Sequence, residues 1–199
     1  MTITQSTVLS LKYGPFRIAY HSTEYGDCVS LSYGNLQKNI PVVRLHSSCL
    51  FGESFHALDC DCAAQLTSTL KMIKRNKSGV IVYRYMEGRG IGLENKIKAL
   101  ELQRTQKINT IEAFSKLGFT PDLRSYDAEV LALRELEVNE NIKFAGQNPD
   151  KQKALELGGF TLVEQLHPLI KITKRNIPEL IIKRDVLGYN IRADLEAEQ

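Results

Sequence analysis

The chain has 199 residues, of which 43% are hydrophobic and 25% charged, and this composition excludes disordered, collagen-like and disulfide-rich proteins. Its 26 basic and 23 acidic residues give a net charge of +3, far from the basic excess of a dedicated nucleic-acid-binding protein. The sequence contains no run of about 18 apolar residues, the length that a membrane-spanning helix needs, and residues 1–6 lack the features of a signal peptide. We therefore expect a cytoplasmic protein with reduced cysteines and no nucleic-acid or membrane partner.

The first third of the chain is rich in predicted β-strands. Apolar and polar residues alternate over 7–22 on both sides of a turn signal at Tyr13–Pro15, and they alternate again over 28–36. A further strand is predicted over 40–45, where Pro41 favours a sheet edge or the first position of a strand. We expect these N-terminal strands to form an antiparallel section of the sheet.

The hydrophobic period becomes helical from residue 61, because Ala63, Leu66, Leu70 and Ile73 share one helix face. A short buried strand, Val80–Tyr83, follows. Further helices are predicted over 92–106, 110–117, 126–137, 150–158 and within 178–188, and further strands over 142–145 and 160–163. Strands that alternate with helices indicate α/β layering. The predicted fold is therefore a single α/β (α+β) domain over residues 1–199, with helices around a mixed sheet.

Three cysteines have a spacing that is compatible with metal binding. Cys49, Cys60 and Cys62 form the pattern C-x10-C-x-C, and zinc prefers thiolate ligands in a tetrahedron. A loop around Gly52 would return Cys49 to the other two, and three protein ligands leave a fourth position for water or substrate. Three ordinary buried cysteines, or a disulfide, remain open as alternatives from the spacing alone. Cys28 lies in a predicted strand, where we expect a small core residue.

A glycine-rich turn, with Gly88, Gly90 and Gly92, joins a predicted strand to a predicted helix. Such a turn can bind an anion through backbone N–H groups, and Arg89 adds a guanidinium suited to phosphate. The turn matches neither the dinucleotide-binding fingerprint nor a P-loop, and a plain tight turn explains the glycines equally well. In a later loop, Asp122 and Arg124 lie two residues apart, for which a surface ion pair is the simpler interpretation.

Taken together, these segments resemble the GTP cyclohydrolase II family of riboflavin biosynthesis. The resemblance spans about residues 10–190, and the motifs occur in the family's order and at nearly its spacing. The segments that carry it are Arg44–Leu50, Cys60–Cys62 with Gln65, Glu87–Leu93 with Asn95 and Lys96, Thr110–Ala113, Leu117–Phe119 with Asp122 and Arg124, and Asn148–Pro149 with Lys151.

The resemblance implies an enzyme that opens the imidazole ring of GTP at C8 and releases formate and pyrophosphate, leaving a diaminopyrimidine ribosyl phosphate. It implies one zinc ion per chain on Cys49, Cys60 and Cys62, magnesium at the substrate phosphates, and a homodimer. It assigns Asp122 as proton acceptor and Arg124 as nucleophile at the α-phosphorus, although a permanently protonated arginine is better suited to stabilising phosphoryl charge. The residues implied to contact GTP are Arg44, Leu45, His46, Ser47, Ser48, Gln65, Glu87, Gly88, Arg89, Thr110, Gly146 and Lys151.

Several family positions differ in this chain. Ser48 stands where the family has a glutamate, Gly146 where it has a threonine, and Tyr189 where it has a histidine. Leu100 stands where the family has a tyrosine, and leucine can neither orient water nor donate a proton. Loss of the formyl group is therefore expected to be slowed, unless Leu100 is only a packing residue. Two alternatives remain open: a paralogue that stops at the formylamino pyrimidine or uses a related nucleotide in specialised metabolism, and a non-catalytic homologue that retains zinc and nucleotide binding.

Overall fold

The computed structural model describes residues 3–169 and 172–191. Its strands are β1 (Ile3–Leu11), β2 (Gly14–Thr23), β3 (Gly26–Tyr33), β4 (Val42–Ser47), β5 (Gly79–Arg84), β6 (Asn141–Ala145) and β7 (Thr161–Leu166). Its helices are α1 (Leu50–Glu53), α2 (Cys62–Asn76), α3 (Gly92–Gln106), α4 (Thr110–Lys116), α5 (Asp127–Glu135), α6 (Pro149–Leu157) and α7 (Ile177–Asp185), and a 3₁₀ turn spans Glu87–Gly90.

The predicted elements agree with these bounds except at their ends. The strand predicted over 28–36 ends at Tyr33, because Gly34 turns the chain with a φ of +73°. A side chain at Gly34 would come within 2.0 Å of the Lys77 carbonyl oxygen, so the turn requires glycine there. The strand predicted over 40–45 begins after Pro41, at Val42.

The chain forms two compact units. The sheet unit comprises Met1–His46, Ala64–Tyr85 and Ser125–Leu169, and the second unit comprises Ser47–Ala63, Met86–Arg124 and Ile170–Gln199. The organisation into a single domain stays a prediction.

The described part of the sheet unit contains seven strands in the order β1-β2-β3-β5-β4-β6-β7. The pairs β1–β2, β2–β3 and β3–β5 are antiparallel, whereas β4–β6 and β6–β7 are parallel. The predicted mixed sheet with an antiparallel N-terminal section is confirmed.

Helices cover both faces of this sheet. On β5, Val80 and Val82 pack in a cluster with residues of α5 and α6, whereas Ile81 packs in a second cluster with Leu70 and Ile73 of α2. Because successive strand residues point to opposite faces, a strand buried on both faces reads as a continuous apolar run. This accounts for the uninterrupted sequence of β5.

The second unit has small cores of its own. Ile91 and Ala99 pack with Ala113 and Phe114, which joins α3 to α4. A separate cluster contains Leu180 of α7. Within residues 3–169 and 172–191, no helix is both long enough and apolar enough to cross a membrane.

Candidate metal centre and active site

The sulfur atoms of Cys49, Cys60 and Cys62 come together in the second unit, all within 4.8 Å of one another. The sulfurs of Cys49 and Cys60 are 3.6 Å apart. Two thiolates on a tetrahedral zinc ion, each at about 2.3 Å, lie about 3.8 Å from each other. The separation and the soft donor set therefore fit a thiophilic divalent metal, and the predicted clustering is confirmed.

The local backbone explains how these sulfurs meet. Cys49 is the N-cap of α1, and its sulfur accepts a hydrogen bond from the Gly52 N–H at 3.4 Å. Gly52 lies directly against the cluster, since a β-carbon there would be 2.5 Å from the Cys60 sulfur. Cys62 is the first residue of α2. The loop expected around Gly52 is thus present, and it requires the smallest residue.

Hydrogen bonding within the cluster favours one thiolate. Hydrogen bonds from Cys60 and then Cys62 lower the pKa of Cys49, and the nearby Lys96 ammonium acts in the same direction. The pKa of Cys62 is raised, mainly because its thiol is a hydrogen-bond donor to Cys49. These hydrogen bonds therefore favour the thiolate form at Cys49 over the other two cysteines. Metal binding requires the remaining thiols to lose their protons as well.

Two lysine–carboxylate pairs flank the cysteines. The Lys96 ammonium donates to Glu87 Oε2 at 2.6 Å and to Cys49 Sγ at 3.4 Å. The Lys183 ammonium donates to Asp61 Oδ1 at 2.9 Å, and the Asp61 carboxylate is completely buried. Burial lowers the pKa of Lys183, but the charge of Asp61 and neighbouring acidic groups raises it by more. Both lysines thus remain cationic beside the sulfurs.

Glu87 also binds the backbone next to Cys49. Its Oε1 accepts the Leu50 N–H at 2.6 Å, directly after Cys49 in the chain. The family glutamate is absent at Ser48, whose hydroxyl accepts the Met86 N–H at 3.0 Å. A different carboxylate lies nearby, because Glu53 Oε1 accepts the Cys49 N–H at 3.1 Å. The loop therefore has carboxylate support from two sides.

The glycine-rich turn has an unusual backbone. Gly88 and Arg89 both adopt left-handed conformations, with φ of 60° and 54°. For a residue with a side chain this costs about 1–2 kcal/mol, and such strain is most often found at functional sites. The Arg89 carbonyl accepts the Leu123 N–H at 3.0 Å, which ties the turn to the loop of Asp122 and Arg124. The turn thus positions two predicted site segments at once.

One carboxylate holds two of the predicted substrate contacts. Glu179 of α7 pairs with Arg89 through Oε1 and accepts the Thr110 hydroxyl at 2.8 Å through Oε2. The Arg89 side chain is only 10% exposed. Its Nη1 atom is buried and has no hydrogen-bond partner in the described ranges. The turn therefore holds a buried guanidinium whose Nη1 is available to donate a hydrogen bond.

Asp122 and Arg124 form a partly buried pair, with only 16% and 8% of their side chains exposed. Arg124 donates from Nε to Asp122 Oδ1 at 2.8 Å and from Nη2 to Oδ2 at 2.5 Å. It also donates to the hydroxyls of Ser47 at 3.3 Å and Tyr189 at 3.0 Å. Burial raises the pKa of Asp122, but the hydrogen bonds and charge of Arg124 lower it by more. The simpler interpretation, a surface ion pair, is therefore wrong, because this pair is enclosed.

The sheet unit carries the other predicted contacts. In β4, Arg44 donates from Nε to His46 Nδ1 at 2.9 Å and from Nη2 to Gln65 Oε1 at 2.6 Å. The His46 ring stacks on Tyr83 with centroids 5.3 Å apart. Lys151, in the first turn of α6, donates to the Leu45 carbonyl at 2.8 Å. These contacts hold the cations in fixed orientations.

Gly146 follows β6 and precedes α6. A β-carbon there would be 2.4 Å from the Phe144 ring, so this chain cannot carry the family threonine without moving Phe144. Cys28 is 1% exposed in β3, which agrees with its predicted role in the core.

The structure thus places the predicted residues in two groups. The sheet unit holds Arg44, Leu45, His46, Gln65, Gly146 and Lys151. The second unit holds Ser47, Ser48, Cys49, Cys60, Cys62, Glu87, Gly88, Arg89, Thr110, Asp122 and Arg124.

Sequence reasoning did not place Lys96, Asp61, Lys183 or Glu179 in the site. Asp61 lies between Cys60 and Cys62, and Lys96 lies within a segment that carries the resemblance, so both positions offered a usable signal. No comparable signal marks Lys183 or Glu179 on α7.

Comparison with known proteins gives this geometry a family context. A family model described as GTP cyclohydrolase II matches residues 2–167. A GTP cyclohydrolase-2 of Archaeoglobus fulgidus is 40% identical over 191 residues, which are 95% of this chain and 50% of that protein. The riboflavin biosynthesis protein RibBA of Aquifex aeolicus is 42% identical over 188 residues, 92% of this chain and 46% of that protein.

A third relative has nearly the same length as this chain. The GTP cyclohydrolase-2 of Buchnera aphidicola is 34% identical over 194 residues, which are 95% of this chain and 98% of that protein. The chain therefore spans about half the length of the first two relatives and almost all of the third.

Proposed function

The chain belongs to the GTP cyclohydrolase II family, and on that premise we propose that it hydrolyses GTP, opening the imidazole ring at C8 and releasing formate and pyrophosphate. The product is a diaminopyrimidine ribosyl phosphate, an early compound of riboflavin biosynthesis. The observation that carries this proposal is the group of three cysteine sulfurs within 4.8 Å of one another. Three protein thiolates leave the fourth position on a tetrahedral zinc ion open for water or substrate, as in catalytic zinc sites.

We assign zinc to this site, held by Cys49, Cys60 and Cys62. When bound, zinc supplies Lewis acidity and lowers the pKa of a water molecule to about 7. The chain's own residues maintain the ligands: Gly52 leaves room for the sulfurs, and Glu87 fixes the backbone after Cys49. Magnesium is assigned to the substrate phosphates, because it is a hard cation that prefers oxygen ligands.

The triphosphate calls for several cations. Arg89 supports this role in the second unit, because its buried Nη1 has a donor to spare. Arg44 and Lys151 supply further positive charge in the sheet unit, where hydrogen bonds to His46, Gln65 and backbone carbonyl oxygens orient their side chains.

We assign Arg124 to charge stabilisation at the α-phosphorus rather than to nucleophilic attack. Its Nε, Nη1 and Nη2 all donate hydrogen bonds, to Asp122, Ser47 and Tyr189. A guanidinium that is fixed in this way and always protonated is prepared to interact with phosphoryl oxygens. Asp122, whose pKa is lowered by Arg124, stays ionised and orients it.

The experiment that tests this proposal incubates zinc-loaded protein with GTP and magnesium and identifies the products by mass spectrometry. Formate, pyrophosphate and the deformylated pyrimidine are the expected products. Cys60→Ala is expected to stop both hydrolyses, whereas the exposed-helix variant Lys98→Met is the matched control with normal turnover. A protein that retains zinc but leaves GTP intact would contradict the proposal and favour a non-catalytic homologue.

A second outcome has specific support. Leu100 is 42% exposed on α3, so packing does not require leucine at this position. An enzyme that lacks the family tyrosine is expected to slow at the second hydrolysis, and the formylamino pyrimidine then accumulates. The same mass spectra separate this outcome from complete turnover. A related purine nucleotide in place of GTP is tested in parallel incubations.

Two further assignments accompany this function. We propose that the active protein is a homodimer and that it works in the cytoplasm. Light scattering coupled to gel filtration tests the first, with a mass of about twice the 22.5 kDa of one chain expected. Fractionation of cells that produce the protein tests the second.

A further inference from the structure

Lys96 lies between the metal site and a carboxylate. Its ammonium is 3.4 Å from Cys49 Sγ and 2.6 Å from Glu87 Oε2. The Phe51 ring lies under it, with the nitrogen 4.7 Å from the ring centroid. The side chain is 18% exposed, so the charge is largely removed from water.

This environment gives the ammonium a defined orientation. A buried cation is costly unless charged or polar groups surround it, and here a carboxylate, a sulfur and an aromatic face do so. The Glu87 carboxylate that fixes Lys96 also accepts the Leu50 N–H. Lys96 and Glu87 therefore both act on the Cys49 segment: Lys96 donates a hydrogen bond to the Cys49 sulfur, and Glu87 accepts the N–H of the next residue, Leu50.

The charge balance of the metal centre points to the same role. Three thiolates around a divalent ion carry a net charge of −1, which favours a cation such as the Lys96 ammonium beside one of the sulfurs. A hydrogen bond to a ligand sulfur also withdraws electron density from it, and groups around a metal site tune the ligands in this way. A less strongly donating sulfur leaves the metal a stronger Lewis acid.

We propose that Lys96 is a positioning residue of the metal centre, which orients Cys49 and weakens electron donation from its sulfur to the metal. The inference rests on the metal centre of the proposed function and is independent of which nucleotide is the substrate. Lys183 forms a comparable pair with Asp61, but of the two lysines it is Lys96 that donates a hydrogen bond to a sulfur in the described ranges.

The test uses cobalt as a spectroscopic probe in the full chain. Lys96→Met, Lys96→Gln and Lys96→Arg are compared with the wild type, each loaded with cobalt and each titrated with zinc against a chelator. Lys98→Met is the matched control, because Lys98 lies on the same helix and pairs with Glu94 at the surface.

Lys96→Met and Lys96→Gln are expected to move the sulfur-to-cobalt charge-transfer band to longer wavelength, since the sulfur becomes more electron-rich. They are also expected to weaken zinc binding about 10–100-fold, because Cys49 loses the contact that orients its sulfur. Lys96→Arg, which keeps a donor and a positive charge, is expected to retain most of both properties. With GTP, the neutral variants should lose kcat while KM stays near its wild-type value.

A wild-type band and zinc affinity in either neutral variant would overturn the inference. If neither neutral variant folds, NMR of the wild type labelled with ¹⁵N-lysine provides the test. The Lys96 ammonium signal is the one that is absent from the spectrum of Lys96→Arg. Its position in the wild type should differ between the cobalt-loaded and zinc-loaded forms, and an unchanged position would refute the contact. Failure of the wild type to bind metal would instead contradict the proposed function itself.

Discussion

Replacing Gly52 with alanine would place a methyl group inside the three-sulfur cluster. Alanine is favoured over glycine within a helix by about 1 kcal/mol, and Gly52 lies in α1 with an ordinary backbone conformation. Propensity alone therefore predicts a small gain in stability. The added carbon, however, would be 2.5 Å from Cys60 Sγ, whereas ordinary contact begins at 3.4 Å. The sulfur must retreat by roughly 0.9 Å, given normal van der Waals separations.

A displacement of that size exceeds what a metal site tolerates, because ligand distances have to agree within about 0.2 Å. We expect Gly52→Ala to weaken zinc binding by at least about 100-fold, the upper range for disturbances around metal ligands. Zinc affinity is measured by chelator competition, and the far-UV circular dichroism spectrum reports whether the sheet persists. Gly118→Ala serves as the control, since a β-carbon there meets nothing within 4 Å although its φ is +79°. Normal zinc affinity in folded Gly52→Ala would refute the reasoning.

The remaining predictions concern an ion pair, a buried thiol and the product. Glu179→Gln leaves the enclosed Arg89 guanidinium without its carboxylate, so we expect a loss of about 3 kcal/mol in urea unfolding; the exposed Glu94→Gln serves as control, and equal behaviour of the two would contradict this. Burial, followed by Glu129, raises the pKa of Cys28 from 9.0 to about 12. The unfolded chain therefore releases this proton first, so the free energy of unfolding falls between pH 9 and pH 12, by up to about 1.4 kcal/mol per unit; Cys28→Ala should reduce this slope, and an unchanged slope excludes Cys28 as its source. Leu100→Tyr is expected to raise the ratio of deformylated to formylated product in mass spectra, and a constant ratio would show that this position does not control the second hydrolysis.

Most helices and strands could be predicted from sequence because each of these has its own hydrophobic period or is bounded by turn residues such as glycine and proline. The apolar face of α2 and the continuous apolar run of β5 are local patterns, and both elements occur where those patterns lie. Helix α1 could not be predicted, because its four residues contain too little sequence for a period. The strand β3 ends just before Gly34, where a side chain would collide with the Lys77 carbonyl oxygen, and the sequence alone does not show this contact.

The site was predictable to the extent that short motifs carry it. The spacing of Cys49, Cys60 and Cys62 indicated a shared ligand set, and their sulfurs do meet. The groups that hold this site come from far along the chain: Lys183 is 122 residues from Asp61, and Glu179 is 90 residues from Arg89. Such pairings depend on tertiary packing and leave no local signature. They therefore had to be observed in the structure.

These distant partners come from one segment of the chain. Glu179 binds Arg89 in the glycine-rich turn, Lys183 binds Asp61 between two of the clustered cysteines, and Tyr189 binds Arg124. All three lie beyond residue 167, where the match to the family model ends. The predicted site residues thus lie within the matched segment, whereas these three side chains that orient them lie outside it. A substitution beyond residue 167, such as one at Tyr189, can therefore change how the predicted site residues are oriented without replacing any of them.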